Sequence, residues 1–259
     1  MDTVIIIPSR MGSSRYPGKP LKPVAGKMLM RRVWDIAKSV EGVDEVIIAT
    51  EADEILEAAQ GFGAKAVITP ESCRNGTERA LAAIDALGIE PRTIINLQGD
   101  AVLTPPWIVQ DLVNEMKRDP DVQLATPAVR MTAEQVALLQ ASKDAGDVGG
   151  TTVTFNRNMD ALYFSKRIIP LLRGEFPEPP VYRHIGMYGY RLDTLRRYLT
   201  LEQGQFEQAE QLEQLRALEH GIPIRVVLTD YKGRTHWAVD SPEDARIAED
   251  IIAREGELV

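Results

Sequence analysis

The chain has 259 residues, 44% hydrophobic and 26% charged, enough to bury a substantial core without disulfide staples. Its 30 Lys and Arg against 38 Asp and Glu give a net charge of −8, which argues against a coat protein for duplex nucleic acid but leaves room for a local basic pocket. One cysteine, Cys73, excludes an intrachain disulfide and a cysteine-cluster metal site, and three histidines (His184, His220, His236) do not favour a histidine-built zinc site.

The pattern opens on Val4–Ile7, a continuous β-branched run that predicts a strand buried on both faces. Bounded by Pro8-Ser9-Arg10, it is too short for a signal segment or a membrane span, and the expected compartment is the cytoplasm, where a lone thiol stays reduced. After a Gly/Pro-rich loop, Leu29, Val33, Ile36, Ala37 and Val40 form a helical stripe over Met28–Val40. Strands are expected at Glu45–Thr50, Lys65–Thr69 and Thr93–Leu97, with helices at Asp53–Gly61, Gly76–Leu87 and Pro105–Arg118. This alternation predicts an α/β fold: a mostly parallel sheet with helices on both faces. Farther on the pattern becomes strand-rich, with strands expected at Val122–Val129, Thr151–Phe155, Ala161–Phe164, Arg183–Tyr190 and Ile224–Leu228. Glu207–His220 reads as one polar helix. Ser241-Pro242-Glu243-Asp244 is an N-cap with proline and acids in the first turn, opening a last helix through Ile247, Ile251 and Ile252. The expected division is a nucleotide-binding core over about 1–130, an elaboration over 131–225 and a return to the core over 226–259.

The loop after the first strand, Arg10 to Pro20, lies where open α/β sheets bind ligands. Gly12 and Gly18 allow the backbone to approach a phosphate, and Arg10, Arg15 and Lys19 add three cations. The spacing is neither a Walker A loop nor a dinucleotide fingerprint. A solvated basic loop would have the same composition; position after the first strand favours the ligand reading. Asp100, after Gln98-Gly99, ends a strand, and Asp240 precedes the last helix. Two such carboxylates suit a magnesium ion that also binds phosphate and water, although each alone reads equally as a turn or helix-start residue.

Several segments together resemble a known family. Arg10-x-x-x-x-Arg15-x-Pro17-Gly18-Lys19-Pro20-Leu21 is similar to the signature loop of sugar-activating cytidylyltransferases. Asn75-Gly76-Thr77-Glu78-Arg79, Gln98-Gly99-Asp100, Ala161-Leu162-Tyr163-Phe164-Ser165, Arg183 to Arg191, Leu212 to Arg216 and Val239 to Asp244 extend the match along nearly the whole chain. In order and spacing they resemble the 3-deoxy-manno-octulosonate cytidylyltransferases, the CMP-Kdo synthetases of Gram-negative lipopolysaccharide biosynthesis.

The resemblance implies a three-layer, Rossmann-like nucleotidyltransferase fold with a smaller strand-rich elaboration for sugar binding and dimerisation. It implies in-line attack of a sugar oxygen on the α-phosphorus of CTP, with Mg2+ as cofactor and pyrophosphate leaving. By position, Arg10, Ser13, Arg15 and Lys19 would hold the phosphates. Asn75, Thr77 and Arg79 would lie near cytosine, and Gln98 near ribose or sugar. Asp100 and Asp240 would hold the metal, with Lys19, Arg10 and Asp100 carrying the catalysis. His184, Tyr188, Glu210, Glu213 and Gln214 would meet the acid sugar. Taken alone, His184 reads equally as a hydrogen-bonded strand histidine, and the polar helix as a solvated face. A homodimer is expected, with no nucleic acid and no membrane as partner.

Two departures bear on the sugar. Ala101-Val102 stands where the family usually has Glu-Pro, and Gly149-Gly150-Thr151-Thr152-Val153 replaces a segment with a Val-Lys pair. These changes are compatible with a modified acid sugar such as 8-amino-Kdo, or with free drift at peripheral positions. A nucleotidyltransferase for another base or an alditol phosphate, and an inactive binding module that kept the fold, are the competing expectations.

Overall fold

The computed structural model describes residues 1–13, 15–146 and 148–259. The N-terminal half follows the predicted alternation. Strand β1 (Thr3–Pro8) leads through a basic loop and a 3-10 turn at Lys19–Leu21 to the hairpin β2 (Pro23–Val24) and β3 (Lys27–Met28). Then come α1 (Leu29–Lys38), β4 (Glu45–Thr50), α2 (Asp53–Gly61), β5 (Lys65–Ile68), α3 (Gly76–Leu87), β6 (Thr93–Asn96) and α4 (Pro106–Arg118). The second half contains β7 (Leu124–Arg130), α5 (Ala133–Asp144), β8 (Thr152–Phe155), β9 (Ala161–Ser165), β10 (Tyr182–His184) and β11 (Tyr188–Arg191). It ends with α6 (Leu192–Leu199), α7 (Gln205–Glu210), α8 (Gln214–Glu219), β12 (Arg225–Thr229) and α9 (Pro242–Glu255).

Among the described residues the strands form a ten-stranded sheet in the order β5-β4-β1-β6-β11-β7-β10-β8-β9, with β12 on the other edge of β7. β5, β4, β1 and β6 run parallel, as does β12 on β7, whereas β11, β10, β8 and β9 pair antiparallel. The alternation of β1 explains its apolar run. Ile5 and Ile7 face a layer with α1, α2, α4 and α9; Val4 and Ile6 face one with α3, α6 and α8.

The structure corrects two expectations and adds two helices, α5 and α6. Arg183–Tyr190 is two strands rather than one. Both lie along the same edge of β7, β11 at Leu124–Ala125 and β10 at Ala128–Arg130. The chain folds between them because the Thr126 hydroxyl lies against the carbonyls of Ile185 (3.3 Å) and Met187 (2.8 Å), and Met187 N–H turns back on Ile185 O. Glu207–His220 is two short helices, broken at Gln211, whose φ of 53° is left-handed. α5 carries a capping box between Thr132 and Gln135, a signal present in the sequence. α6 buries Leu192, Leu195 and Tyr198 on one stripe.

Candidate active site

The carboxyl ends of β1 and β6 and the start of α3 enclose a cleft of about 290 Å3, lined by Ser9, Arg10, Ser13, Arg15, Lys19, Cys73, Arg74, Asn75, Gly76, Arg79, Gln98, Gly99, Asp100 and Asp240. The strand ends touch here. A Cβ on Gly99 would lie 2.3 Å from the carbonyl oxygen of Pro8, so only glycine lets the two loops meet. Gly18 caps the 3-10 turn with φ 67°, which brings Lys19 inward from the loop.

Asp100 and Asp240 come together on Lys19. Its Nζ donates to Asp100 Oδ2 at 3.0 Å and Asp240 Oδ1 at 3.1 Å, while Arg15 pairs with Asp240 Oδ2 at 3.1 Å. Two backbone bonds lock their segments, Val239 N–H to Asp100 O (3.0 Å) and Leu103 N–H to Trp237 O (3.1 Å). Asp244 Oδ2 accepts from Asp240 N–H, and the Ser241 capping box fixes the start of α9. Arg10 lines the cleft, exposed and without a side-chain partner among the described residues, while the Ser13 hydroxyl accepts from Tyr16 N–H.

On the opposite wall, Asn75 caps α3 by accepting from Glu78 N–H at 2.9 Å, leaving the positive helix end facing the cleft. Arg79 is 3% exposed; it donates to Thr69 Oγ1 at 2.7 Å and pairs with Glu51 at 3.1 Å. Glu51 also accepts from Met11 N–H, tying the basic loop to α3. Gln98 reaches back to Asn96 Oδ1 at 3.4 Å. Thr77, expected near cytosine, is 1% exposed and off the cleft; its hydroxyl donates to Glu213 at 2.9 Å.

A second cavity of about 280 Å3 opens beside Gly150, Thr151, Arg183, His184, Gly186, Tyr188, Leu212, Gln214 and His236. It gathers three of the residues expected at the sugar: His184, Tyr188 and Gln214. The remaining three lie off its lining, with Gln98 in the first cavity. Glu210 accepts from Ser165 Oγ and Lys166 N–H, and Glu213 holds Thr77. Burial pushes the Glu213 carboxyl above its usual range. Burial also holds His184 down to about 3, helped by Lys166, and His236 down to about 4, helped by Arg183. Thr126 Oγ1 has one hydrogen, which faces carbonyl oxygens, so it accepts from His184 Nε2 at 2.8 Å. That tautomer leaves His184 Nδ1 as an acceptor. Gln214 is 4% exposed and its Nε2 donor has no protein partner.

The two cavities have no lining residue in common, but the loop after β6 runs from Asp100 in the first to the buried Thr104, whose hydroxyl lies 3.2 Å from Nδ1 of His236 in the lining of the second. Of the departures, Ala101 is in the core at 7% exposed and Thr152 is fully buried with its hydroxyl donating to Arg167 O at 2.7 Å, whereas Gly150 and Thr151 line the second cavity. Sequence reasoning missed Ser9, Cys73 and Arg74 in the first cavity and Arg183 and His236 in the second. Arg183 stood inside a quoted motif, whereas His236 gave no signal before its segment was seen packed on Thr104.

A cation-lined cleft at the carboxyl ends of parallel strands, with two carboxylates at its mouth, defines a nucleotidyltransferase. The cytidylyltransferase family pattern matches residues 4–225. The chain is 52% identical to the 3-deoxy-manno-octulosonate cytidylyltransferase of Maricaulis maris (strain MCS10), covering 100% of both. It is 36% identical to the 8-amino-3,8-dideoxy-manno-octulosonate cytidylyltransferase of Shewanella piezotolerans (strain WP3 / JCM 13877), over 98% of this chain and 99% of the relative. A solved structure of CMP:2-keto-3-deoxy-manno-octonic acid synthetase complexed with CTP superimposes with a TM-score of 0.88 at 35% identity, covering 98% of this chain and 100% of that one. The chain belongs to the 3-deoxy-manno-octulosonate cytidylyltransferase family.

Proposed function

We propose that this enzyme transfers CMP from CTP to 3-deoxy-manno-octulosonate (Kdo), releasing pyrophosphate. The observation that carries the reading is the meeting of Asp100 and Asp240 at Lys19, on the mouth of a cleft lined by Arg10, Arg15 and Arg79. The triphosphate would lie along Arg10, Ser13, Arg15 and Lys19, with its charge drawn to the start of α3. Cytosine would meet the wall formed by Asn75, Gly76 and Arg79, with Thr77 supporting that wall from behind through Glu213. Gln98 lies between nucleotide and sugar.

Asp100 and Asp240 fit Mg2+. Among the described residues no cluster of three or more His, Cys, Asp or Glu exists, so the remaining ligands would be phosphate, sugar and water oxygens, as magnesium prefers. When bound, the ion supplies charge neutralisation on the reacting phosphate and a lowered pKa for a coordinated hydroxyl. Lys19 would exchange its carboxylates for phosphate oxygens and balance the charge that grows on the leaving pyrophosphate. The protein's share of catalysis is positioning and electrostatics, with no side-chain general base in the cleft.

The second cavity suits the hydroxylated sugar. His184 Nδ1 accepts, Gln214 Nε2 donates, and Tyr188 forms the wall. Among the described residues its lining has a guanidinium and no carboxylate, which supports Kdo over its 8-amino derivative. Residues about 131–225 would then carry sugar binding, with 1–130 and 226–259 holding the nucleotide and metal. That middle segment also exposes Leu138 (66%), Leu162 (61%) and Leu171 (83%), which supports a homodimer through this segment, tested by sedimentation. The cytoplasm, where CTP is made, is the proposed compartment and lipopolysaccharide the destination of the product. No helix among the described residues is long and apolar enough to cross a membrane.

Pyrophosphate release from a panel of the four nucleoside triphosphates with Kdo and with 8-amino-Kdo tests the reading. Turnover restricted to CTP plus Kdo is expected. Turnover with 8-amino-Kdo alone would reassign the sugar, and equal use of all four triphosphates would remove the cytidine assignment.

A further inference from the structure

The relatives of this chain divide between enzymes named for an octulosonate and for its 8-amino form, and the second cavity contains a residue able to tell them apart. We propose that Arg183 is a specificity-determining residue that makes this cavity reject a sugar tail ending in an ammonium group in favour of one ending in a hydroxyl. The inference rests on the function proposed above.

An octulosonate is activated at its anomeric carbon, beside the carboxylate, and carbon 8 is the opposite end of the molecule. The reacting end belongs with Asp100 and Asp240 in the first cavity. The second cavity shares no lining residue with it, but two paired segments run from the first to the wall of the second. Residues 98–104 run from Asp100 to Thr104, and residues 236–240 run from His236 to Asp240; Leu103 N–H to Trp237 O and Val239 N–H to Asp100 O join them. A sugar anchored at the carboxylates therefore extends its tail towards His184, Gln214 and His236, and the substituent on carbon 8 lands there.

The charge on that lining has one sign. Arg183 stands at its rim, with its guanidinium 3.7 Å from the position a Cβ on Gly150 would take. The side chain makes no hydrogen bond or ion pair among the described residues, although the backbone is paired in β10. Among the described residues the lining contains no Asp or Glu. Glu210 and Glu213, the acids sequence suggested for this role, are occupied by Ser165, Lys166 N–H and Thr77. A terminal hydroxyl can donate to His184 Nδ1 and accept from Gln214 Nε2. A terminal ammonium gains no counter-charge and faces an unpaired cation in a partly desolvated space, where like charges repel.

The test is the ratio of kcat/KM for Kdo to that for 8-amino-Kdo, from CTP-dependent pyrophosphate release by wild type, Arg183→Lys, Arg183→Gln and Arg183→Glu. Wild type should favour Kdo. The Gln variant should shift the ratio towards the amino sugar about tenfold and the Glu variant further, mainly through a lower KM for the amino sugar, while Lys keeps the wild-type ratio. Unfolding curves confirm that each variant is folded, which a side chain without partners makes the expected result. A ratio unchanged by both Gln and Glu, with Kdo still turned over, overturns the inference and leaves the proposed function standing. A wild type that uses neither octulosonate overturns the proposed function, and this inference with it.

Discussion

Asp100 and Asp240 accept from the same ammonium group, Lys19 Nζ, at 3.0 and 3.1 Å. One lies in the loop after β6 and the other just before α9, so the site forms only when segments far apart in the sequence come together. The two carboxylates are 30% and 43% exposed, where ion pairs contribute about 0–1 kcal/mol to stability. Their value is in chemistry rather than in holding the fold.

Asp100→Asn and Asp240→Asn should each lower kcat by about 10²-fold or more, because a metal ligand supplies several kcal/mol of transition-state charge stabilisation. The unfolding temperature should barely move, since Lys19 retains one partner in either variant. Steady-state pyrophosphate assays across a magnesium titration check this. Near-normal turnover at low magnesium would remove these residues from the metal site.

Gly99 sets a steric condition on the same cleft. With a Cβ 2.3 Å from Pro8 O, Gly99→Ala must push apart the ends of β1 and β6. A cost of about 1–3 kcal/mol is expected from overpacking, with weaker CTP binding because Arg10 and Asp100 move with those strands. Thermal unfolding with and without CTP reads both effects. An alanine variant as stable as wild type would mean that the loops have slack the structure does not show.

Much of this arrangement was legible before any coordinates. The β-branched run of β1 and the alternation through α4 identify the parallel part of the sheet from local pattern alone. The meeting of Asp100 and Asp240 was not local, and only the resemblance joined them. The middle of the chain was harder because its strands pair over long separations. β11 enters between β6 and β7, and the Thr126 hydroxyl that folds the chain before it has no signature in Arg183–Tyr190. The polar stretch Glu207–His220 looked like a solvated face, yet Glu207 and Arg216 form a buried bidentate pair within it at 2.7 and 2.6 Å. Periodicity cannot distinguish a polar residue facing water from one facing a buried partner.

The Glu51–Arg79 pair connects stability to the nucleotide loop. Arg79 is buried, and Glu51 divides its carboxylate between Arg79 and Met11 N–H. Glu51→Gln strands the guanidinium and should destabilise the protein by about 3–5 kcal/mol. The glutamine's one acceptor oxygen can serve either Arg79 or Met11 N–H, so the loop carrying Arg10 is held less firmly and KM for CTP should rise at temperatures where the variant is still folded. Chemical denaturation and steady-state kinetics on the same preparation separate the two. A stability loss with unchanged KM would show that Met11 does not need this carboxylate.

The second cavity predicts how stability depends on pH. Burial holds His184 at about 3 and His236 at about 4, against an ordinary value of 6.5. Below pH 6.5 the unfolded chain takes up protons on both imidazoles that the folded chain refuses. Stability is therefore full above about pH 6.5 and falls as pH drops towards 4, by up to about 1.4 kcal/mol per pH unit for each histidine. His184 continues to contribute down to about 3. The carboxyl of Glu213 acts in the opposite direction: burial raises it, so its contribution is present at low pH and is lost as pH rises through its folded value. Urea unfolding between pH 4 and 8 should show the histidine slope across pH 4.5–6.5, and His236→Asn should remove about half of it. The same slope in that variant would place the acid sensitivity elsewhere in the molecule.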